Sequence, residues 1–279
     1  METNSQRILV VGLPESGKSS FIQAVDEALK HPMTQNDLRS FRLADDRNYI
    51  QSGKENFLAG KKPGRTDLNQ DDTSVELWFE HPPSKFHGRL HLPDKKGEIF
   101  RSQWVDRRWA MDYRENLESI AGALLFLRAD GKSRNDELLG ALVRGTSSST
   151  PRAWDMKNAS AQVQLVDVLQ FMVEHGNISK PLRIAVLISA WDTVGQAGDI
   201  RPKNPAKFLH REWALLAQYL RANPHNLIEK IYGVSAYGGE PDKLGTLEEL
   251  PPHERSRLTE GLETTRDLTR PLRWLLQLD

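Results

Sequence analysis

Cysteine is absent from these 279 residues, so no disulfide framework and no thiolate metal site is available. Net charge is absent too. Lysine plus arginine (38) equals aspartate plus glutamate (38), which argues against a protein that coats nucleic acid by bulk charge. No apolar run approaches the roughly 20 residues that span a bilayer, so no membrane association is expected. Residues 1–6 are short and polar and lead straight into a strand-like run, with no sign of a secretory leader, so a cytoplasmic location is expected. No H-E-x-x-H, G-x-S-x-G or C-x-x-C motif occurs. The sequence contains no internal repeat. What remains is 38% hydrophobic residues in a chain long enough to bury a sizeable core.

Short buried strands alternate with amphipathic helices along most of that chain. Ile8, Leu9, Val10 and Val11 form a β-branched run ending at Gly12. Phe21, Ile22, Val25, Ala28 and Leu29 recur at helical spacing over 18–30, and Pro32 stops that helix. A long polar stretch follows at 31–72, with a helix expected inside it over 47–58. Residues 74–79 and 86–92 alternate apolar and polar, and their connection is too short for a crossover helix, which predicts an antiparallel pair. A helix is expected over 104–120. The runs 122–127 and 183–188 are continuous and apolar, as strands covered on both faces are. Helices are expected over 165–173 and 208–220, a last strand over 231–234, and a C-terminal helix over about 254–278. This order predicts one α/β domain over 1–279 with three layers. Its six-stranded sheet is mostly parallel with one antiparallel strand, and helices cover both faces.

The chemistry concentrates after the first strand. Gly12, Leu13, Pro14, Glu15, Ser16, Gly17, Lys18 and Ser19 match G-x-x-x-x-G-K-[S/T] between a strand and a helix. Glycines at both ends let the backbone curl so that its N–H groups point at phosphate oxygens, and the helix N-terminus adds partial positive charge. Lys18 then reaches the β- and γ-phosphates, and Ser19 offers its hydroxyl to Mg²⁺. A similar Gly131, Lys132, Ser133 is discounted because its leading glycine would fall on Phe126 inside a strand. Asp94 and Gly97 form a D-x-x-G directly after the strand 86–92. An aspartate there can hold Mg²⁺ through water, and a glycine N–H can meet a γ-phosphate.

Together these motifs resemble P-loop GTPases of the translation-factor and Ras-like class, and more narrowly the bacterial double-GTPase group. The narrow likeness rests on the long insert, the Gly97-Glu98 pair, the Trp191-Asp192 form of the base motif and the Pro-Leu-Arg-Trp-Leu-Leu ending. The resemblance implies a three-layer P-loop NTPase fold, GTP and GDP as ligands, and Mg²⁺. It sets Gly12, Pro14, Glu15, Ser16, Gly17, Lys18, Ser19 and Ser20 at the phosphates. Thr66 falls at the first switch, joining Mg²⁺ with Ser19 and Asp94, and Thr73 is its rival. Gly97 falls at the γ-phosphate, and Glu98 where Ras-like enzymes carry a water-positioning glutamine. Asp192 falls at the guanine base, and Ser235 and Ala236 at the S-A base contact.

Departures from the pattern carry expectations of their own. Ser189 and Ala190 replace the asparagine and lysine of N-K-x-D, so guanine is expected to win over adenine by a reduced margin. Glu15 brings a negative charge to the phosphates. Glu98 accepts hydrogen bonds but donates none when ionised. Arg65 is either an arginine acting in cis on the transferring phosphoryl or a solvated loop residue. Arg101, Trp104, Arg107, Arg108 and Trp109, within 101–114, suit either a protein-partner surface or a helix core. His87 and His91 share a strand face and are expected to be an ordinary surface pair. The implied function is a GTPase switch, slow until a partner acts, in a bacterial multi-protein system. Its rivals are a nucleotide-sensing scaffold that does not hydrolyse and a P-loop small-molecule kinase.

Overall fold

A computed structural model describes residues 5–34, 37–42, 47–61, 74–93, 104–105, 117, 120–130, 159–175, 180–196 and 198–278. The expectations for the helix 104–120 and the partner surface at 101–114 lie mostly outside them.

The central strands form where the sequence is β-branched and apolar on both faces. They are β1 (Gln6–Gly12), β5 (Ile120–Arg128), β6 (Leu182–Ser189) and β7 (Leu227–Ser235). Beside β1 lies β4 (Phe86–Leu92), preceded by β3 (Val75–His81). Strands β4, β1, β5, β6 and β7 run parallel, and β3 pairs antiparallel with β4, from Val75 opposite Leu92 to His81 opposite Phe86. These are the six strands the sequence predicts.

The sheet is larger than six strands, however. Among the described residues its order is β2-β3-β4-β1-β5-β6-β7-β8-β9, and four of its eight pairings are antiparallel. The three additions are short: β2 (Arg39–Ser40) at one edge, and β8 (Arg257–Glu260) followed by β9 (Glu263–Thr265) at the other. The expected C-terminal helix over 254–278 is overturned with them. A short α6 (Pro252–Arg255) leads into the β8–β9 hairpin, and only α7 (Arg270–Leu276) is helical beyond it. Thr259, Thr264 and Thr265 favour strand, and Gly261 turns the hairpin at φ +60°. The Thr259 and Thr264 hydroxyls lie 2.9 Å apart across the pair.

Alternation along the strands sorts the core onto two faces. Val10, Leu124, Phe126, Leu187 and Val234 pack with Phe21 and Val25 of α1 (Lys18–Lys30) and with Leu272 and Leu275 of α7. Leu9, Val11, Leu125, Val186 and Ile188 pack under α3 (Ala161–His175), α4 (Pro205–Glu212) and α5 (Ala214–Ala222). Helices therefore cover both faces of the sheet. The single helix expected over 208–220 is two, parted at Trp213, whose ring is buried. Asn204 caps α4, its side chain accepting from the Lys207 N–H at 3.0 Å.

Within the polar stretch, α2 (Arg47–Leu58) forms where a helix was expected. Lys54 reaches Glu27 of α1 at 2.9 Å. Arg255, 7% exposed, donates to the carbonyls of Leu58, Glu248 and Leu250 at 3.1, 3.0 and 2.8 Å. A buried guanidinium satisfied by backbone oxygens thus stitches the end of α2 to the C-terminal segment.

Candidate nucleotide-binding site

The loop between β1 and α1 curls tightly because its two glycines allow it. A Cβ on Gly12 would lie 2.8 Å from Ser16 Oγ and 2.9 Å from Phe126 Cβ. Gly17 takes φ +94°, and a Cβ there would meet Ser189 Cβ and Oγ at 2.7 Å. Glu15 also adopts a left-handed conformation, at φ 61°, without being glycine. Lys18 is 5% exposed and folds over the loop, its Nζ donating to the carbonyls of Gly12 and Leu13 at 2.8 and 2.7 Å. Pro14 lies half-buried on this loop, and Ser19 and Ser20 lie half-buried in the first turn of α1.

The ends of β6 and β7 meet this loop. The Ser189 hydroxyl, at the end of β6, donates to the Ser16 carbonyl at 2.7 Å. Ala190 then turns the chain at φ 54° into a short 3₁₀ turn (Trp191–Thr193), and Thr193 Oγ1 donates back to the Ala190 carbonyl. The Asp192 carboxylate accepts from the Ser235 hydroxyl at 2.6 Å. Ala236 follows, its carbonyl accepting from Ser256 Oγ at 2.6 Å. Gly233 in β7 leaves room for the Trp191 ring, which a Cβ there would meet at 2.3 Å. The structure therefore brings the phosphate loop beside Ser189, and Asp192 beside Ser235. Arg65, Thr66, Thr73, Asp94, Gly97 and Glu98 lie outside the described residues.

Several groups at this end escaped the sequence reading. Arg128 closes β5 and donates through a terminal nitrogen to the Glu15 carbonyl at 3.1 Å. Its Nε and other terminal nitrogen grip Asp130 at 2.8 and 2.5 Å. Arg201 donates to the carbonyls of Ala129 and Thr193 at 2.5 and 2.9 Å, bracing the base-motif turn. The same guanidinium holds the Asp199 carboxyl far below the usual carboxylate range. Tyr237 packs on Phe57 of α2 with ring centroids 5.0 Å apart, and burial pushes its hydroxyl up to about 12. The only sequence signal for Arg128 is its place immediately after an apolar run.

His91 is not a surface residue. It is 3% exposed, with Nδ1 3.3 Å from Glu76 Oε1 across the β3–β4 pair, and His87 lies 3.7 Å from Glu80 in the same way. The cross-strand register supplies the carboxylates that a single strand's sequence did not show. Burial alone would raise the Glu76 carboxyl, but His91, Arg89 and Arg7 together hold it below its ordinary value. No group of three or more potential metal ligands occurs among the described residues. No helix among them is long and apolar enough to cross a membrane.

Among solved structures, the crystal structure of bacterial selenocysteine-specific elongation factor EF-Sec is similar over 99% of this chain at 10% identity, with a TM-score of 0.39. The chain spans 29% of that protein's length. No curated protein matches the chain in sequence. The profile of the Double-GTPase 1 family matches residues 9–275, and the chain belongs to that family of P-loop GTPases.

Proposed function

We propose that the chain is a guanine-nucleotide switch that hydrolyses GTP to GDP with Mg²⁺. The observation that carries this reading is the bond from Ser189 to the curled loop around Lys18, which sets that loop against the strand end that leads into the Asp192–Ser235 pair. One end suits phosphates and the other suits a purine edge.

Each residue present has a task in that reading. Loop N–H groups and the α1 N-terminus bind phosphate oxygens, and Lys18 exchanges its carbonyl partners for the β- and γ-phosphates. Asp192 accepts both N–H groups on one edge of guanine. Ser235 orients that carboxylate and leaves acceptor capacity on it, since an ionised carboxylate offers about four lone-pair sites. Mg²⁺, when bound, neutralises charge on the transferring phosphoryl. The Ser19 hydroxyl, half-buried beside Lys18, suits that role, and Thr66 and Asp94 are assigned to it by the motif alone. Glu98 orients the attacking water in this assignment, and Arg65 stabilises charge in cis. Catalysis in this class is positioning plus charge stabilisation, so turnover is slow until a protein partner acts at the switch surface near 101–114. The setting is a cytoplasmic, multi-protein bacterial system.

Thermal shift with GDP, a non-hydrolysable GTP analogue and ATP, each with Mg²⁺, tests the reading. Guanine nucleotides should stabilise the protein most, and Lys18→Ala should abolish the shift while single-turnover hydrolysis disappears. Stabilisation by ATP alone would overturn it.

A further inference from the structure

We propose that Arg128 is a positioning residue that makes a glutamate tolerable in the phosphate loop. It fixes the backbone of Glu15 and offsets its carboxylate, and so sets how strongly a triphosphate is held relative to a diphosphate. The inference rests on the guanine-nucleotide reading above.

Glu15 is an unfavourable occupant of its position. It is exposed, it takes a left-handed conformation that disfavours a side chain, and it brings negative charge to a loop built for anions. Arg128 meets both difficulties. One terminal nitrogen donates to the Glu15 carbonyl at 3.1 Å, pinning the strained peptide. The opposite edge of the guanidinium is gripped by Asp130 through two hydrogen bonds, at 2.8 and 2.5 Å. A planar guanidinium held on one edge has little freedom on the other, so the free edge is aimed at the loop. The Arg128–Asp130 pair is then a fixed dipole with its positive end toward Glu15. Asp130 foremost, with Glu15 and Asp192 adding smaller effects, raises the already high pKa of Arg128, so its charge is permanent. Arg128 lies opposite Ser189 in the β5–β6 register, which places it on the strand end that faces the phosphate loop.

Repulsion between the Glu15 carboxylate and the phosphates grows with phosphate charge, so the effect should be larger for a triphosphate than for a diphosphate. The test is a double-mutant cycle on the full chain with Arg128→Gln, Glu15→Gln and the pair, titrated with GDP and a non-hydrolysable GTP analogue in Mg²⁺. Arg128→Gln should weaken the analogue about tenfold and GDP by less. In the Glu15→Gln background the same change should cost under about threefold. Equal losses in both backgrounds would overturn the proposal, because Arg128 would then act through the loop backbone, the fold or the nucleotide itself and not by offsetting the Glu15 carboxylate. A wild type that binds no guanine nucleotide would overturn the functional reading instead. Melting temperature reports folding of each variant. If Arg128→Gln does not fold, Glu15→Gln alone decides: with Arg128 in place the analogue should tighten less than about threefold, and a tenfold gain would overturn the proposal.

Discussion

The Ser189 hydroxyl donates a 2.7 Å hydrogen bond to the Ser16 carbonyl, fastening the end of β6 to the phosphate loop across 173 residues of chain. Both residues are buried, at 8% and 2% exposure, so neither group has water to fall back on. Ser189→Ala should therefore cost about 1 kcal/mol of stability by denaturant melting and weaken GDP several-fold by titration. Lost stability with unchanged affinity would mean that the bond serves the fold and does not shape the loop.

Gly17→Ala should be more damaging. The position needs φ +94°, and the added methyl would meet Ser189 at 2.7 Å. The left-handed conformation alone costs about 1–2 kcal/mol for a residue with a Cβ. The clash then moves either the loop or β6. The expected outcome is loss of nucleotide-dependent stabilisation together with a lower melting temperature. A variant that melts like wild type and still binds would show that the loop relaxes freely.

Regular periodicity made the central strands and α1 legible, because a buried strand and an amphipathic helix each leave a long pattern. Even α2 was readable at its boundaries inside polar sequence. The short edges were not: β2 has two residues and β9 three, too few for alternation to show. The tail misled because Leu272, Trp274, Leu275 and Leu276 do lie on a helix, α7, and that pattern was extended back over the β8–β9 hairpin, where Gly261 turns the chain. At the site, glycine spacing announced the loop, since only glycine meets its backbone demands. Ser189 and Arg128 act through single contacts to carbonyls brought close by the fold, and a lone contact leaves no pattern in sequence. The carboxylate partners of His87 and His91 emerged only with the β3–β4 register.

Stability should fall on mild acidification, through a pair of rings far from the phosphate loop. His31 ends α1 and stacks on His253 of α6, with centroids 4.3 Å apart and planes inclined by 18°. Burial first, then the His31 ring and Arg266, hold His253 below its ordinary 6.5, against the pull of Glu254 and Glu27. A base whose pKa is depressed by folding binds fewer protons folded than unfolded. Its contribution is complete above the unfolded value and is lost as pH drops from about 6.5 through the lower folded value. Melting temperature should decline across that window, and His253→Phe should flatten the decline. An unchanged slope in the variant would assign the acid sensitivity to groups other than His253.

Base selectivity follows from the 2.6 Å bond between Ser235 Oγ and Asp192 Oδ1. That bond fixes the carboxylate's orientation, and adenine has no matching donor pair to offer it. A desolvated acceptor facing adenine goes uncompensated, so guanine should be preferred. Ala190, sitting where the motif has lysine, has no stem to lay over the base, and the margin should be reduced for that reason. Asp192→Asn replaces one acceptor oxygen by a donor and should erase about tenfold of the preference, the worth of one charge-assisted bond. Ser235→Ala should lose less, because it loosens the carboxylate without removing it. Competition of GDP against ADP on wild type and both variants checks the order. Equal competition on the wild type would make the chain a general purine-nucleotide binder. A Ser235→Ala loss as large as that of Asp192→Asn would mean that orientation, not acceptor chemistry, selects the base.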